Sequence, residues 1–195
     1  ANSLSNPDNT FIFFENFDNP KSWSLSGKWH YTTYGVSSPA SVQILRYGDP
    51  NTNSYSGTNS GDAISPSFSL PPGARLFYLD RSATEYSGFT SSPSYDKEEI
   101  YISRDGGVTW TRISLYSGTW SWTERSIDIS SYTGSNVKIR FRFDTVDGLY
   151  NSYYGWAIDR IIIRKYTSPE PTFTLGSEEL PKPFTAWANV TKSFN

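Results

Sequence analysis

Apolar and polar residues alternate along most of the first 166 positions, in short runs divided by clusters of Gly, Pro, Asn and Ser. A period of two places one set of side chains on each face of an extended strand, so the pattern predicts strands and not helices. The first run is Thr10 to Asp18, with Phe11, Phe13 and Phe17 on one face and Ile12 and Phe14 on the other, and Asn19-Pro20 ends it. Shorter runs follow at Trp23 to Leu25 and Trp29 to Tyr34, then Ser41 to Tyr47, where Val42, Ile44 and Arg46 alternate with Gln43, Leu45 and Tyr47. Gly48 to Gly61 reads as a surface loop. Asp62 to Leu70 and Ala74 to Arg81 read as a pair around Pro71-Pro72-Gly73. The clearest hairpin has Glu99 to Ser103 and Val108 to Leu115 around Asp105-Gly106-Gly107, whose glycines can take a positive φ.

Trp120 to Ile129, Val137 to Asp144 and Trp156 to Tyr166 complete the set. Val137, Ile139, Phe141 and Phe143 oppose Lys138, Arg140 and Arg142 in strict alternation, whereas Ile158, Ile161, Ile162 and Ile163 leave the last strand apolar on both faces and predict a central position. About ten short strands predict an all-β fold, a two-sheet antiparallel β-sandwich or jelly roll over residues 1–166. Beyond it, Ser168-Pro169-Glu170-Pro171 is a stiff break into a C-terminal extension, 167–195. There Phe184, Ala186, Ala188, Val190 and Phe194 repeat at every second position, interrupted by Lys192, which predicts a half-buried extension strand. It is expected to dock on a sheet edge, its own or a neighbour's.

Composition narrows the setting. Trp 7, Tyr 14 and Phe 12 supply residues that fit a pleated, half-buried surface. Cys 0 excludes disulfides, thiol nucleophiles and thiolate metal sites, and Met 0 removes a further oxidation target. With Lys+Arg 17 against Asp+Glu 19, no positive excess draws the chain to nucleic acid, and no apolar run is long enough for a membrane span. The start at Ala1, without initiator Met or apolar leader, suggests a mature product after signal-peptide removal and an extracellular or cell-surface address. Asn189-Val190-Thr191 is a glycosylation sequon compatible with that address.

Ser103 to Trp110 fits the S-x-D-x-G-x-T-W Asp-box of sialidases and other secreted β-proteins, in which the Asp and Ser brace a hairpin away from any catalytic centre. Read in order, Phe14-Glu15-Asn16-Phe17 with Trp23, Gly61 to Pro66, the Asp-box hairpin, Ile127 to Gly134, Val137 to Phe143 and Gly155 to Asp159 resemble the cleaved-adhesin and MAM-like jelly-roll domains of bacterial and archaeal surface proteins and secreted proteases. The resemblance covers about residues 10 to 166 and leaves the tail outside. It implies a structural Ca²⁺ held by Glu15, Asp62 and Asp159. The family's second acid after the last-strand Asp is Arg160 here, so Asp18 is the expected substitute. The same carboxylates also suit solvated turns.

A catalytic set is missing from the sequence. His30 is the single histidine, between Trp29 and Tyr31, and Glu98 and Glu99 are neighbours on one strand that must point to opposite faces, so neither a hydrolytic triad nor a facing carboxylate pair assembles. The expectation is a non-enzymatic protein, with a hydrolase using Glu98 or Glu99 a remote rival. Tyr150, Tyr153, Tyr154 and Trp156, with Asp147 and Asn151, crowd the approach to the last strand. Aromatic rings beside amides and carboxylates suit stacking on sugars, and equally subunit contact or the edge of the core. Two functions follow: a calcium-stabilised, self-assembling filament, tube or sheath subunit whose partner is another copy, or alternatively a carbohydrate-binding or adhesin module whose partner is a surface glycan.

Overall fold

The computed structural model describes residues 11–33, 38–52 and 54–166. The extension strand expected at Phe184, Ala186, Ala188, Val190 and Phe194, and the sequon at Asn189, lie outside the described residues. The strands are β1 (Phe11–Glu15), β2 (Ser24–Leu25), β3 (Trp29–Thr32), β4 (Ile44–Tyr47), β5 (Ser60–Ile64), β6 (Phe68–Leu70), β7 (Ala74–Ala83), β8 (Lys97–Ser103), β9 (Thr111–Tyr116), β10 (Trp120–Asp128), β11 (Gly134–Asp144) and β12 (Gly155–Lys165), with no helix among the described residues. They form two six-stranded sheets. The first runs β10-β7-β12-β4-β3 with β1 also on β12, and the second runs β2-β5-β11-β8-β9 with β6 also on β11. Every pair of named strands is antiparallel, as the alternation predicts for a sandwich.

The expected pairing around Pro71-Pro72-Gly73 does not form. β6 joins β11 and β7 joins β12 and β10, so this turn carries the chain from one sheet to the other, helped by Gly73 at φ +77. The run expected from Ser41 also starts late: Val42 is 69% exposed, and all four residues of β4 are buried.

Two long strands organise everything else. β12 pairs β7 along one edge and divides the other, giving Trp156, Ala157 and Ile158 to β4 and Ile161 to Arg164 to β1. The division falls at Asp159-Arg160, where the register slips and Arg160 takes φ +42. β11 divides its edge in the same way between β5 and β6. Here the break is Ser65-Pro66, and Pro66 has no N–H to give the ladder. Ser65 spans the gap: its N–H donates to Ile139 O at 2.9 Å, and its Oγ accepts from Ile139 N–H at 3.0 Å.

Between the sheets lies an aromatic core. Phe141 of β11 meets Trp23, Tyr78 and Trp156 at ring distances of 6.2, 5.8 and 5.6 Å, and Phe143 stacks on Tyr47 at 4.6 Å. Carboxylates share this interior. Asp80 accepts from Trp120 Nε1, Arg125 Nε and Trp156 Nε1 at 3.1, 3.1 and 3.3 Å, donors that oppose the burial that still pushes it up to about 6. Glu98 accepts only from Ser82 Oγ and leaves Oε2 unpartnered. Asp96 accepts from Tyr55 OH and Glu85 N–H and leaves Oδ1 unpartnered. Burial pushes Asp96 up to about 6 and Glu98 well above the ordinary carboxylate range.

Asp80, Asp96 and Glu98 all bind a proton more tightly folded than unfolded, so the stability they confer is complete near pH 4 and lost as pH rises through 6 and beyond. Asp105, held low by Thr109, acts in the opposite sense only at lower pH. Thermal melting between pH 5 and 8 is therefore expected to show a falling midpoint, with a slope of up to about 1.4 kcal/mol per pH unit for each titrating group. Glu98→Gln, of equal size but unable to ionise, should match the parent at pH 5 and exceed it at pH 8. A parent more stable at pH 8 than at pH 5 contradicts this account.

Candidate functional site

The loops 85–96 and 145–154 meet the 54–59 segment at one end of the sandwich. Thr145 N–H donates to Asn59 O at 3.1 Å and Asp96 N–H to Thr145 O at 3.3 Å. Asn151, almost fully buried, anchors the longest of these loops by donating from Nδ2 to Asp147 O at 2.7 Å and Gly57 O at 3.1 Å. Asp147 caps its own turn through Leu149 N–H at 3.0 Å. Burial raises Glu85 above the ordinary carboxylate range, and the charge of Asp147 adds to the effect.

On this frame Tyr150 is 74% exposed, Tyr153 39% and Leu149 65%, with Tyr95 of the neighbouring loop at 41%. Val146 and Tyr150 both sit at positive φ, +68 and +53. For a β-branched or aromatic residue that conformation is strained, and strain of this kind concentrates in binding loops. Rings and carboxylates together at the end of a rigid scaffold can cover the apolar face of a sugar and accept from its hydroxyls.

The other predicted contact residues separate from this group. Gly155, at φ +88 with Tyr47 O within 2.2 Å of where a Cβ would lie, reverses the alternation between its neighbours. Tyr154 consequently lies flat over the outer face of the first sheet, between the guanidiniums of Arg46 and Arg81 at 4.2 and 4.4 Å. Trp156 turns inward, is wholly buried, and donates to Asp80, so it has no surface to offer a ligand. This corrects its expected role as a contact residue.

Of the expected calcium ligands, Asp18 and Asp159 both hold the 38–43 segment, Glu15 closes the turn around Phe17, and Asp62 stands apart. Glu15 accepts from Phe17 N–H at 2.9 Å, Lys21 N–H at 2.8 Å and Trp23 Nε1 at 3.1 Å, and so closes the turn after β1. Asp18 Oδ1 accepts from Val42 and Gln43 N–H at 2.9 and 3.2 Å. Asp159 accepts from Ser38 and Ser41 hydroxyls and from Arg160 N–H, and burial raises it above the ordinary range. Asp62 stands on the other sheet, 3.3 Å from Arg142 and 3.9 Å from Arg140. Among the described residues no three His, Cys, Asp or Glu side chains converge on a position for a metal ion. Glu15, Asp18 and Asp159 already accept from chain donors, and Asp62 is held by Arg142 on the other sheet.

The catalytic inventory stays divided. Glu98 is inside the sandwich, Glu99 is outside it and bound to Arg112 at 2.9 Å, and His30 Nδ1 lies 3.0 Å from Lys28 O. The Asp-box does what its motif implies. Ser103 Oγ donates to Asp105 and accepts from Gly107 N–H, Asp105 accepts from Val108 and Thr109, and Trp110 Nε1 closes on Gly107 O at 3.0 Å.

A second surface lies on the outer face of the second sheet, where the sequence reading placed no site. Arg142 reaches Asp144, Asp62 and Glu99 at 2.9, 3.3 and 3.7 Å, while Arg140 lies 4.2 Å from the ring centre of Tyr101 and 4.6 Å from that of Trp110. Its signal was the outward column Lys138, Arg140, Arg142, visible in the alternation of β11.

Comparison with known proteins places this geometry. No protein-family model matches the chain. Bacillopeptidase F of Bacillus subtilis is 25% identical over 150 residues, 74% of this chain, which spans 10% of that protein's length. The K1 cleaved adhesin domain of Lys-gingipain from Porphyromonas gingivalis superposes with a TM-score of 0.57 at 15% identity, covering 80% of this chain and 98% of that one. The K3 domain gives 0.54 at 13%, covering 80% and 99%. The module TmCBM61, solved with β-1,4-galactotriose, gives 0.50 at 15%, covering 74% and 89%. The ordered motifs, the two six-stranded sheets and these superpositions converge on one architecture: residues 11–166 form a cleaved-adhesin-like β-jelly roll.

Proposed function

We propose that this jelly roll is a non-catalytic carbohydrate-binding or adhesin module of the extracellular space, contacting surface glycans through its loop end. The observation that carries the reading is the exposure of Tyr150 and Tyr153 on a strained, internally anchored loop that also holds Asp147. Each flat ring offers apolar area at little entropic cost, and the adjoining carboxylate accepts from sugar hydroxyls. The fold likeness to a module solved with a galactose trisaccharide, and to adhesin domains, supports it. No helix among the described residues is long and apolar enough to cross a membrane.

A second reading, the self-assembling subunit, draws on one observation. Among the described residues the outer edge of β10 carries no partner strand, and the chain leaves β12 at the same end of the sheet, across the start of β7: Tyr166 N–H donates to Gly73 O at 2.8 Å and Ile129 N–H to Ala74 O at 3.2 Å. A strand returning from Tyr166 would run antiparallel to β10, and the alternation of Phe184 to Phe194 suits such an edge.

Three measurements test these readings. Glycan-array binding is expected for the full chain and should weaken about tenfold or more in Tyr150→Ala and in Tyr153→Ala, with melting unchanged. Silence across neutral and acidic glycans contradicts the module reading. Deleting residues 180–195 should abolish any polymer seen by light scattering if the tail joins copies, and leave scattering unchanged if it does not. Chelation should move the melting midpoint by less than about 1 °C, since Glu15, Asp18 and Asp159 are already filled by chain donors. A calcium-dependent rise of several degrees would instead place the ion in the protein.

A further inference from the structure

We propose that the outer face of the second sheet is a binding surface for an anionic polysaccharide, one bearing carboxylate or sulfate groups, separate from the loop end. The register fixes what this face presents. Along β11, Lys138, Arg140 and Arg142 all point outward at two-residue steps, which sets successive charges ~6.6–6.8 Å apart in a straight column. Across the strands, Ile64, Arg140, Tyr101 and Arg112 form one row and Asp62, Arg142, Glu99 and Leu115 the next, followed by Ser60, Asp144 and Lys97. Five cations (Lys97, Arg112, Lys138, Arg140 and Arg142) therefore share the face with three acids (Asp62, Glu99 and Asp144). That is a local positive excess in a chain whose formal net charge is −2.

The acids are gathered around Arg142 and Arg112, at 2.9 to 3.7 Å. Arg140 has no such neighbour: its nearest acid is Asp62 at 3.9 Å, and its Nε is buried without a hydrogen-bond partner. Two aromatic rings hold its guanidinium in place, Tyr101 at 4.2 Å and Trp110 at 4.6 Å. A guanidinium fixed in this way loses little freedom on meeting a planar carboxylate or a sulfate, and those are the anions its fork matches. Lys138, one step along the column, pairs in register with Ser103 and adds a second cation with no acid opposite it.

The character of the surface selects the occupant. A protein partner would need an apolar, charge-poor centre, and this face has charges at its middle with Ile64 and Leu115 only toward its flanks. A nucleic acid would need a strongly basic domain, and this chain has a sequence pI of about 5.4. A linear column of cations flanked by flat rings suits an extended, charged sugar chain. The tyrosines of the loop end take no part in it.

The test is affinity electrophoresis of the full chain through gels containing polygalacturonate, dextran sulfate, neutral dextran or single-stranded DNA. Retardation by polygalacturonate or dextran sulfate is expected at low salt, the two arms telling carboxylate from sulfate. It should vanish near 1 M salt, where the Debye length falls to about 3 Å. Lys138→Gln with Arg140→Gln should weaken retardation about tenfold or more, and Lys138→Gln alone, at a surface position that leaves the fold intact, should weaken it measurably. Tyr150→Ala should leave it unchanged, which separates this proposal from the loop-end reading. No retardation by either polyanion, equal retardation of the charge variants, or equal retardation by DNA would each overturn it.

Discussion

Where one long strand must serve two short partners along the same edge, the ladder of backbone hydrogen bonds has to be broken and closed again. That requirement governs both sheets. At the β11 edge the chain inserts Pro66, which cannot donate, and the hydroxyl of Ser65 supplies the acceptor that Ile139 would otherwise lack. At the β12 edge the break is a bulge at Asp159-Arg160, and the freed carboxylate draws the 38–41 segment down through two serine hydroxyls. The family-like motifs around Ser65 and Asp159 are thereby explained as repairs to interrupted ladders.

Acids throughout the molecule follow the same logic. Glu15, Asp18, Asp105 and Asp159 each collect N–H and O–H groups from a nearby turn, so they act as staples for irregular backbone. Inside the sandwich Asp80 has three N–H donors, whereas Glu98 has a single hydroxyl and an unmet oxygen. The first arrangement favours an ionised group and the second a proton-bearing one. Burial raises both, Asp80 to about 6 against the pull of its donors and Glu98 well above the ordinary range.

The sequence was most informative where a strand runs unbroken. Val137 to Phe143 declares its faces by alternation and the Asp-box its turn by glycine placement, and the structure agrees with both, although the second hairpin strand begins at Thr111, not Val108, and its register shifts between Ile100 and Tyr101. It was least informative where a single dihedral changes sides. Tyr154 and Trp156 look equivalent in the chain, yet the positive φ of Gly155 sends one over the outer surface and the other into the core. Local pattern likewise suggested that β6 and β7 pair around Pro71-Pro72-Gly73, because proximity in sequence resembles a hairpin. Their separate partners, β11 and β12, lie more than sixty residues away. The cationic face was visible as Lys138, Arg140 and Arg142, but its meaning depended on Tyr101 and Trp110 arriving from other strands.

Phe11 pairs with Arg164, so the described chain enters and leaves the sandwich side by side. Tyr150 and its companions sit at the opposite pole, beyond Gly155, where β12 begins. Such a unit can be spliced between any two flanking segments with almost no strain on its own geometry, like a bead hung from adjacent threads. The points where the described chain enters and leaves therefore lie at one end of β12, and the aromatic loop lies at the other.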